Sequence, residues 1–230
     1  MKTLRSIMYT GILLLSLVSV LITVIEYRAY DLSYYEETYG ELEIYEDIGI
    51  SEEDLMNTTT VLLSYMQGKR ADMVVYANIR GIDREVFNEK EKLHMIDVNA
   101  LIHMGESIMY VGYALLIAMF GYLLYKRDRS EWVRVGKAGL VAIAVFIGVV
   151  GALLAYMLID FNSFWTSFHH VFFTNDLWLL DPRTDVMIQM FPLEFFEKIV
   201  LQITFMYVGF LVIFALGCIY MSKERVSVKG

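Results

Sequence analysis

The stretch AGLVAIAVFIGVVGALLAYMLI, residues 138–159, runs for 22 residues without one Asp, Glu, Lys or Arg. A helix of that length covers roughly 33 Å, enough to cross about 30 Å of hydrocarbon. Three further blocks, 7–25, 108–125 and 199–221, exclude charge in the same way. Hydrophobic residues make up 57% of the 230-residue chain and the mean hydropathy is +0.50, so the bias extends beyond an ordinary soluble domain. Lipid offers the backbone no hydrogen-bond partners, which makes helices the default for crossing it. The sequence predicts an all-α membrane protein with four transmembrane helices.

Charge predicts the orientation. Lys2, Arg5, Lys126, Arg127, Arg129, Arg134, Lys137, Lys223, Arg225 and Lys229 fall on one side, with only Asp128, Glu131 and Glu224 against them. The other side carries the remaining nine basic and 24 acidic residues, so net charges of +7 and −15 make up the −8 of the chain. The positive-inside rule puts both termini and the loop after the second span in the cytoplasm. The acidic surface then faces out, and a pI near 5.0 argues against nucleic acid as a partner.

The expected order is a first transmembrane helix at 1–26, an extracytoplasmic acidic domain at 27–93 and a second transmembrane helix at 94–126. A cytoplasmic loop at 127–137 leads to the third helix, 138–159. An extracytoplasmic interfacial segment at 160–198, a fourth helix at 199–222 and a cytoplasmic tail at 223–230 complete it. The first span has a basic start, but its apolar run is long and no small-x-small cleavage site follows. It reads as an uncleaved signal anchor. The one cysteine, Cys218, lies within the last span, where it serves neither a disulfide nor lipid attachment.

The outer segments read as a small mixed α/β domain and an interfacial helix. Ser51 followed by Glu52, Glu53 and Asp54 is an N-cap with an acidic first turn, and Gly68 is a stop, giving a helix near 52–66. Leu55, Val61, Leu62 and Tyr65 form its packing stripe. Residues 73–79 read as one short strand, and the acid-rich piece 36–53 as a solvated face with at most a minor claim to a cation. Asn88 and Glu91 form a capping box that starts the next helix. That helix exceeds what a bilayer needs, so it either protrudes or breaks at Gly105, with His94 and Asp97 at or above the outer interface. Phe161, Phe164, Trp165, Phe168 and Phe172 recur on one helical face, the pattern of an interfacial helix. Thr184 caps a short turn through Met190, and Pro192 opens the last helix.

All four histidines fall outside by this topology. His94 and Asp97 share a helix face at i, i+3, where a carboxylate bound to one imidazole nitrogen makes the other a better base. His103 lies nine residues from His94, about half a turn round, and reads with Glu106 as structural. His169 and the adjacent His170 point about 100° apart, so one can face a site while the other does not. A metal set would take His94, Asp97 and one of that pair, but no zinc-type spacing is present. Nucleotide-binding and serine-hydrolase signatures are absent.

The segments 93–98 (LHMIDV), 168–173 (FHHVFF), 178–182 (WLLDP), Asp185 and 191–196 (FPLEFF) resemble those of the bacterial lipoprotein intramolecular transacylases. The resemblance implies a four-span enzyme of the bacterial plasma membrane that moves the sn-2 acyl chain of a diacylglyceryl-cysteine to its α-amine. It implies catalytic histidines at His94 and His169, with His170 the neighbouring alternative, and no other catalytic residue; from the spacing itself, Asp97 would support by orienting His94, and His170 is the other candidate for a supporting role. Its substrates would be diacylglyceryl-modified lipoproteins in membrane lipid. Amine and ester lie on one molecule, so positioning replaces a second substrate, and neither metal nor other cofactor is expected. The competing readings are a metal-dependent membrane hydrolase and a non-catalytic receptor or assembly factor.

Overall fold

The computed structural model describes residues 2–223. Glu224, Arg225 and Lys229, which enter the orientation count, and the tail beyond Lys223 lie outside them. In chain order the elements are α1 (Lys2–Ala29), α2 (Leu32–Glu41), α3 (Ile44–Ile48), α4 (Glu52–Met66), β1 (Tyr76–Ile79), β2 (Ile82–Glu85), α5 (Glu89–Lys126), α6 (Arg129–Ile159), α7 (Phe161–Phe172), α8 (Val186–Met190) and α9 (Leu193–Ser222). The chain is mostly helical. Helices α1, α5, α6 and α9 are long and apolar enough to cross a membrane, and each contains one of the charge-free blocks. Helix α5 is unbroken through Gly105 over 38 residues, about 57 Å at the α-helical rise.

The described residues divide into two units. The first comprises 2–24, 105–165 and 204–223. Its core joins Tyr9, Leu13 and Leu17 of α1 to Met119 and Leu123 of α5, Val135, Ala142 and Phe146 of α6, and Tyr207 of α9. Gly136 sits where α6 meets the backbone of α9: a Cβ there would stand 2.5 Å from the Ser222 nitrogen and 2.6 Å from the Cys218 oxygen. Glu131 is buried and accepts from Arg5 (2.8 Å), Tyr9 (2.9 Å) and Arg134 (2.7 Å). A buried carboxylate needs such partners, because desolvation otherwise outweighs any attraction. Large apolar side chains point outward, Ile117 and Ile213 each 72% exposed. Water does not favour such a surface; lipid does.

The second unit comprises 25–104 and 166–203. Helix α4 starts as expected, with the Ser51 hydroxyl accepting from the Asp54 nitrogen at 3.1 Å. Leu55, Val61 and Leu62 enter the core and Tyr65 packs against it. The apolar run gives one short strand as expected, confined to its last four residues as β1, and β1 pairs antiparallel with β2, Ile79 opposite Ile82. Arg80 and Gly81 make the turn at φ 53° and 84°, the doubly left-handed geometry that matches strand twist. The acid-rich piece folds as α2 and α3, and its acids form the expected solvated face, exposed between buried Tyr34, Tyr35, Tyr39, Ile44 and Ile48. Tyr35, Tyr39, Phe191 and Phe195 pack as an aromatic cluster. Asp185, not Thr184, takes the N-cap position of α8.

Candidate active site

The capping box that begins α5 does more than start a helix. Asn88 N donates to Glu91 Oε2 at 2.7 Å, and Glu91 N donates to Asn88 Oδ1 at 3.0 Å. The second Glu91 oxygen accepts from the Met187 nitrogen at 2.7 Å, at the start of α8. Asn88 Nδ2 donates to Asp185 Oδ1 at 2.9 Å. Burial raises the Glu91 pKa against the hydrogen bonds that it accepts. Burial acts in the same sense on Asp185, but hydrogen bonds from the Asp181 nitrogen, Thr184 and Asn88 hold its carboxyl below the ordinary value. This network fixes the first turn of α5 against α8 and sets the position of His94, one turn further on.

His94 and His169 are both buried, 8% and 4% exposed. Their ring centroids lie 6.1 Å apart. Phe173 packs on both, with centroids 5.4 Å from His94 and 5.5 Å from His169. Trp178 stacks on His169 at 4.7 Å and 26°, and Phe168 meets His169 edge-on at 5.4 Å. His170 is exposed and touches the Trp178 ring edgewise at 5.3 Å. His103 is exposed on α5 near Gly68.

The hydrogen bond expected between Asp97 and His94 is not formed. Asp97 Oδ2 accepts instead from Asn175 Nδ2 at 2.8 Å, and His94 Nδ1 is buried with no hydrogen-bond partner. Trp178 Nε1 is buried in the same condition. His94 precedes the charge-free block of α5 by fourteen residues. Its pKa is pushed down to about 4, by burial first and the neighbouring His169 second, with the Asp97 charge acting the other way. The imidazole is therefore neutral at physiological pH.

A groove of about 410 Å³ adjoins the pair. Asp97, Leu101 and Met104 of α5 line one part of it, and Phe172, Phe173 and Asn175 another. Phe173 thus belongs to both groove and histidine pair. Among the described residues no three His, Cys, Asp or Glu side chains are grouped to hold a metal. The roles of Phe173, Trp178 and Asn175 are not legible from motif spacing. An available signal was the aromatic density directly after the double histidine.

A multi-pass membrane fold with two buried imidazoles beside a groove of mixed polarity defines a class: membrane enzymes acting on amphiphilic substrates. The model of the family described as "Lipoprotein intramolecular transacylase Lit" matches residues 10–196, and the chain belongs to that family. It is accordingly an acyltransferase, a lipoprotein intramolecular transacylase. The in meso structure of the membrane integral lipoprotein intramolecular transacylase Lit from Bacillus cereus is similar, with a TM-score of 0.70 at 20% identity over 96% of this chain and 92% of that one. Structures of the same Bacillus cereus protein with one histidine replaced also match. The alanine variant gives 0.69 at 19% identity over 96% and 93% of the chains, and the arginine variant 0.69 at 18% over 96% and 92%. Comparison with curated proteins returns no match.

Proposed function

We propose that the protein moves the sn-2 acyl chain of a diacylglyceryl-cysteine lipoprotein to the α-amine of that cysteine, with His94 and His169 as its acid–base pair. The observation that carries this reading is the pair itself: two buried imidazoles 6.1 Å apart, beside two buried polar atoms, His94 Nδ1 and Trp178 Nε1, that no protein group satisfies. Buried polar atoms are almost always hydrogen-bonded, so a polar substrate group is the natural partner for such a site.

The α-amine attacks the ester carbonyl carbon and gives up a proton to one imidazole. The carbon–oxygen bond to glycerol breaks as the amide bond is kept, and the departing oxygen leaves with a proton from an imidazolium. The imidazolium formed when the amine gives up its proton is the source of that proton, so the pair acts first as base and then as acid. Asp97, held by Asn175 at the groove, places negative charge where the substrate ammonium approaches. His170 supports the Trp178 ring that stacks on His169. Leu101, Met104 and Phe172 give an acyl chain an apolar wall.

By the charge count, both termini and the α5–α6 turn lie in the cytoplasm. The acidic segments form a small mixed α/β domain at the outer face, with the aromatic face of α7 at the headgroup level. The site then meets lipoproteins in the outer leaflet of the bacterial plasma membrane, with lipid around it and no nucleic acid partner.

The test is co-expression with a diacylglyceryl lipoprotein, followed by fragmentation mass spectrometry of its N-terminal peptide. Unchanged total mass with one acyl chain moved to nitrogen is the expected result. Loss of the chain would instead indicate a hydrolase, and an unmodified peptide a non-catalytic protein. His94→Gln and His169→Gln should each lower transfer at least about 100-fold, and His170→Gln no more than about threefold. Full activity in either of the first two overturns the assignment.

A further inference from the structure

Asp97 follows His94 by three residues on α5, a spacing at which helical side chains are neighbours. A carboxylate and an imidazole so placed would ordinarily bond, yet here each is kept from the other. Asp97 Oδ2 accepts from Asn175 Nδ2 at 2.8 Å, and His94 Nδ1 is buried with no partner among the described residues. The Asn175 amide cannot easily turn away. Its Oδ1 accepts from Leu177 N at 3.1 Å, an Asx turn, which leaves the NH2 end to meet Asp97. That turn leads straight to Trp178, which stacks on His169. Beyond Trp178, Lys90 Nζ of α5 donates to Leu179 O, so the segment is tied to α5 on both sides of the indole. The charged or titratable groups that act on His94 are His169 of α7 and Asp97 and Lys90 of α5. His169 and Lys90 oppose the imidazolium and Asp97 favours it. Phe173, packed on His94 from the segment after α7, adds no charge.

We propose that Asn175 is a positioning residue that holds Asp97 away from His94 and so keeps His94 a neutral base. Released from Asn175, the carboxylate would take the Nδ1–H of His94 and stabilise the protonated ring. His94 would then carry a proton at a pH where a base has to be without one. Asn175 is itself uncharged, so it occupies the Asp97 carboxylate without cancelling the negative charge at the groove. The segment that brings Trp178 onto His169 thereby also governs the protonation of His94, and a single amide links the surroundings of the two imidazoles. The catalytic consequence rests on the acid–base reading of the pair, whereas the effect on His94 protonation does not.

The test follows the imidazoles of the full chain in dodecylmaltoside micelles by NMR, with carbon-13-labelled histidine titrated across pH 4–8. The His94 signal is assigned by its loss in His94→Gln. Asn175→Ala should raise the His94 midpoint by at least about one pH unit, the scale of a carboxylate gained beside an imidazole. The acid limb of acyl transfer should move up with it. In the Asp97→Asn background, Asn175→Ala should leave the midpoint unmoved, because the carboxylate that does the shifting is gone. The exchange Asp97→Asn with Asn175→Asp rebuilds the hydrogen bond with donor and acceptor reversed, and should hold His94 at the parent midpoint. An unmoved midpoint in Asn175→Ala, or an equal rise when Asp97 is also replaced, would overturn the inference. Failure of the acid–base reading looks different: the His94 midpoint rises in Asn175→Ala while the limb of acyl transfer stays in place. That result keeps the hold of Asn175 on Asp97 and removes His94 from the chemistry.

Discussion

His94 carries the most specific pH signature among the residues of the site. An exposed imidazole titrates near 6.5, and burial beside His169 holds this one near 4. As pH falls below 6.5 the unfolded chain takes up the proton first, so the contribution of His94 to stability is lost between about pH 6.5 and 4. Under the proposed reaction the acid limb of kcat/KM lies near pH 4 to 5, read from N-acylation rates across pH 4.5–8 in micelles. A limb at 6.5 would show that the buried imidazole is not the titrating group. The residues alone grouped His94 with one of His169 and His170, 75 or 76 positions away, only as a possible metal set, and the family resemblance was what singled out His169 as its partner. The partner of Asp97 was not legible at all. Helical spacing put it on the His94 face, but Asn175, 78 residues on, claims its carboxylate.

At the scale of elements, the contact of α6 with α9 turns on Gly136. Alanine is intrinsically the better helix former by about 1 kcal/mol, yet its Cβ would meet α9 backbone at 2.5–2.6 Å. Backbone cannot move aside as a flexible side chain can, so overpacking of about 1–3 kcal/mol wins. Gly136→Ala should lower the midpoint of thermal unfolding in detergent, whereas Gly148→Ala, with nothing within 4 Å of its added Cβ, should hold or raise it. Equal midpoints in the two variants would refute the close packing. The four long helices were legible because a charge-free run of about 20 residues matches the thickness of the hydrocarbon, a length that helices of soluble proteins rarely keep apolar. Strand β2 was not, because Ile-Asp-Arg-Glu at residues 82–85 shows no inward and outward alternation. Helices α2 and α3 were obscured by their acids, although buried Tyr34, Tyr35, Thr38 and Tyr39 already had helical spacing.

For the whole molecule, the proposed orientation is open to direct labelling. Cys218, the only cysteine in the sequence, is 1% exposed, so background reaction is small. A cysteine at Lys69 should react with a membrane-impermeant maleimide in intact spheroplasts. One at Lys126 should react only after permeabilisation. The reverse pattern would invert the topology. The proposed orientation rests on counting charge alone, whereas the contact of the histidines with Phe173 and Trp178 depends on how the chain closes in three dimensions. That aromatic enclosure has a consequence for the outcome of the reaction. An ester activated between two imidazoles has two competing nucleophiles, the tethered amine and water at about 55 M, and effective molarity alone favours the amine. Phe168, Phe173 and Trp178 pack around the pair and displace the solvent that would otherwise intercept the ester. Under the proposed reaction these rings bias the partition between aminolysis and hydrolysis, and so keep a transferase from becoming a lipase.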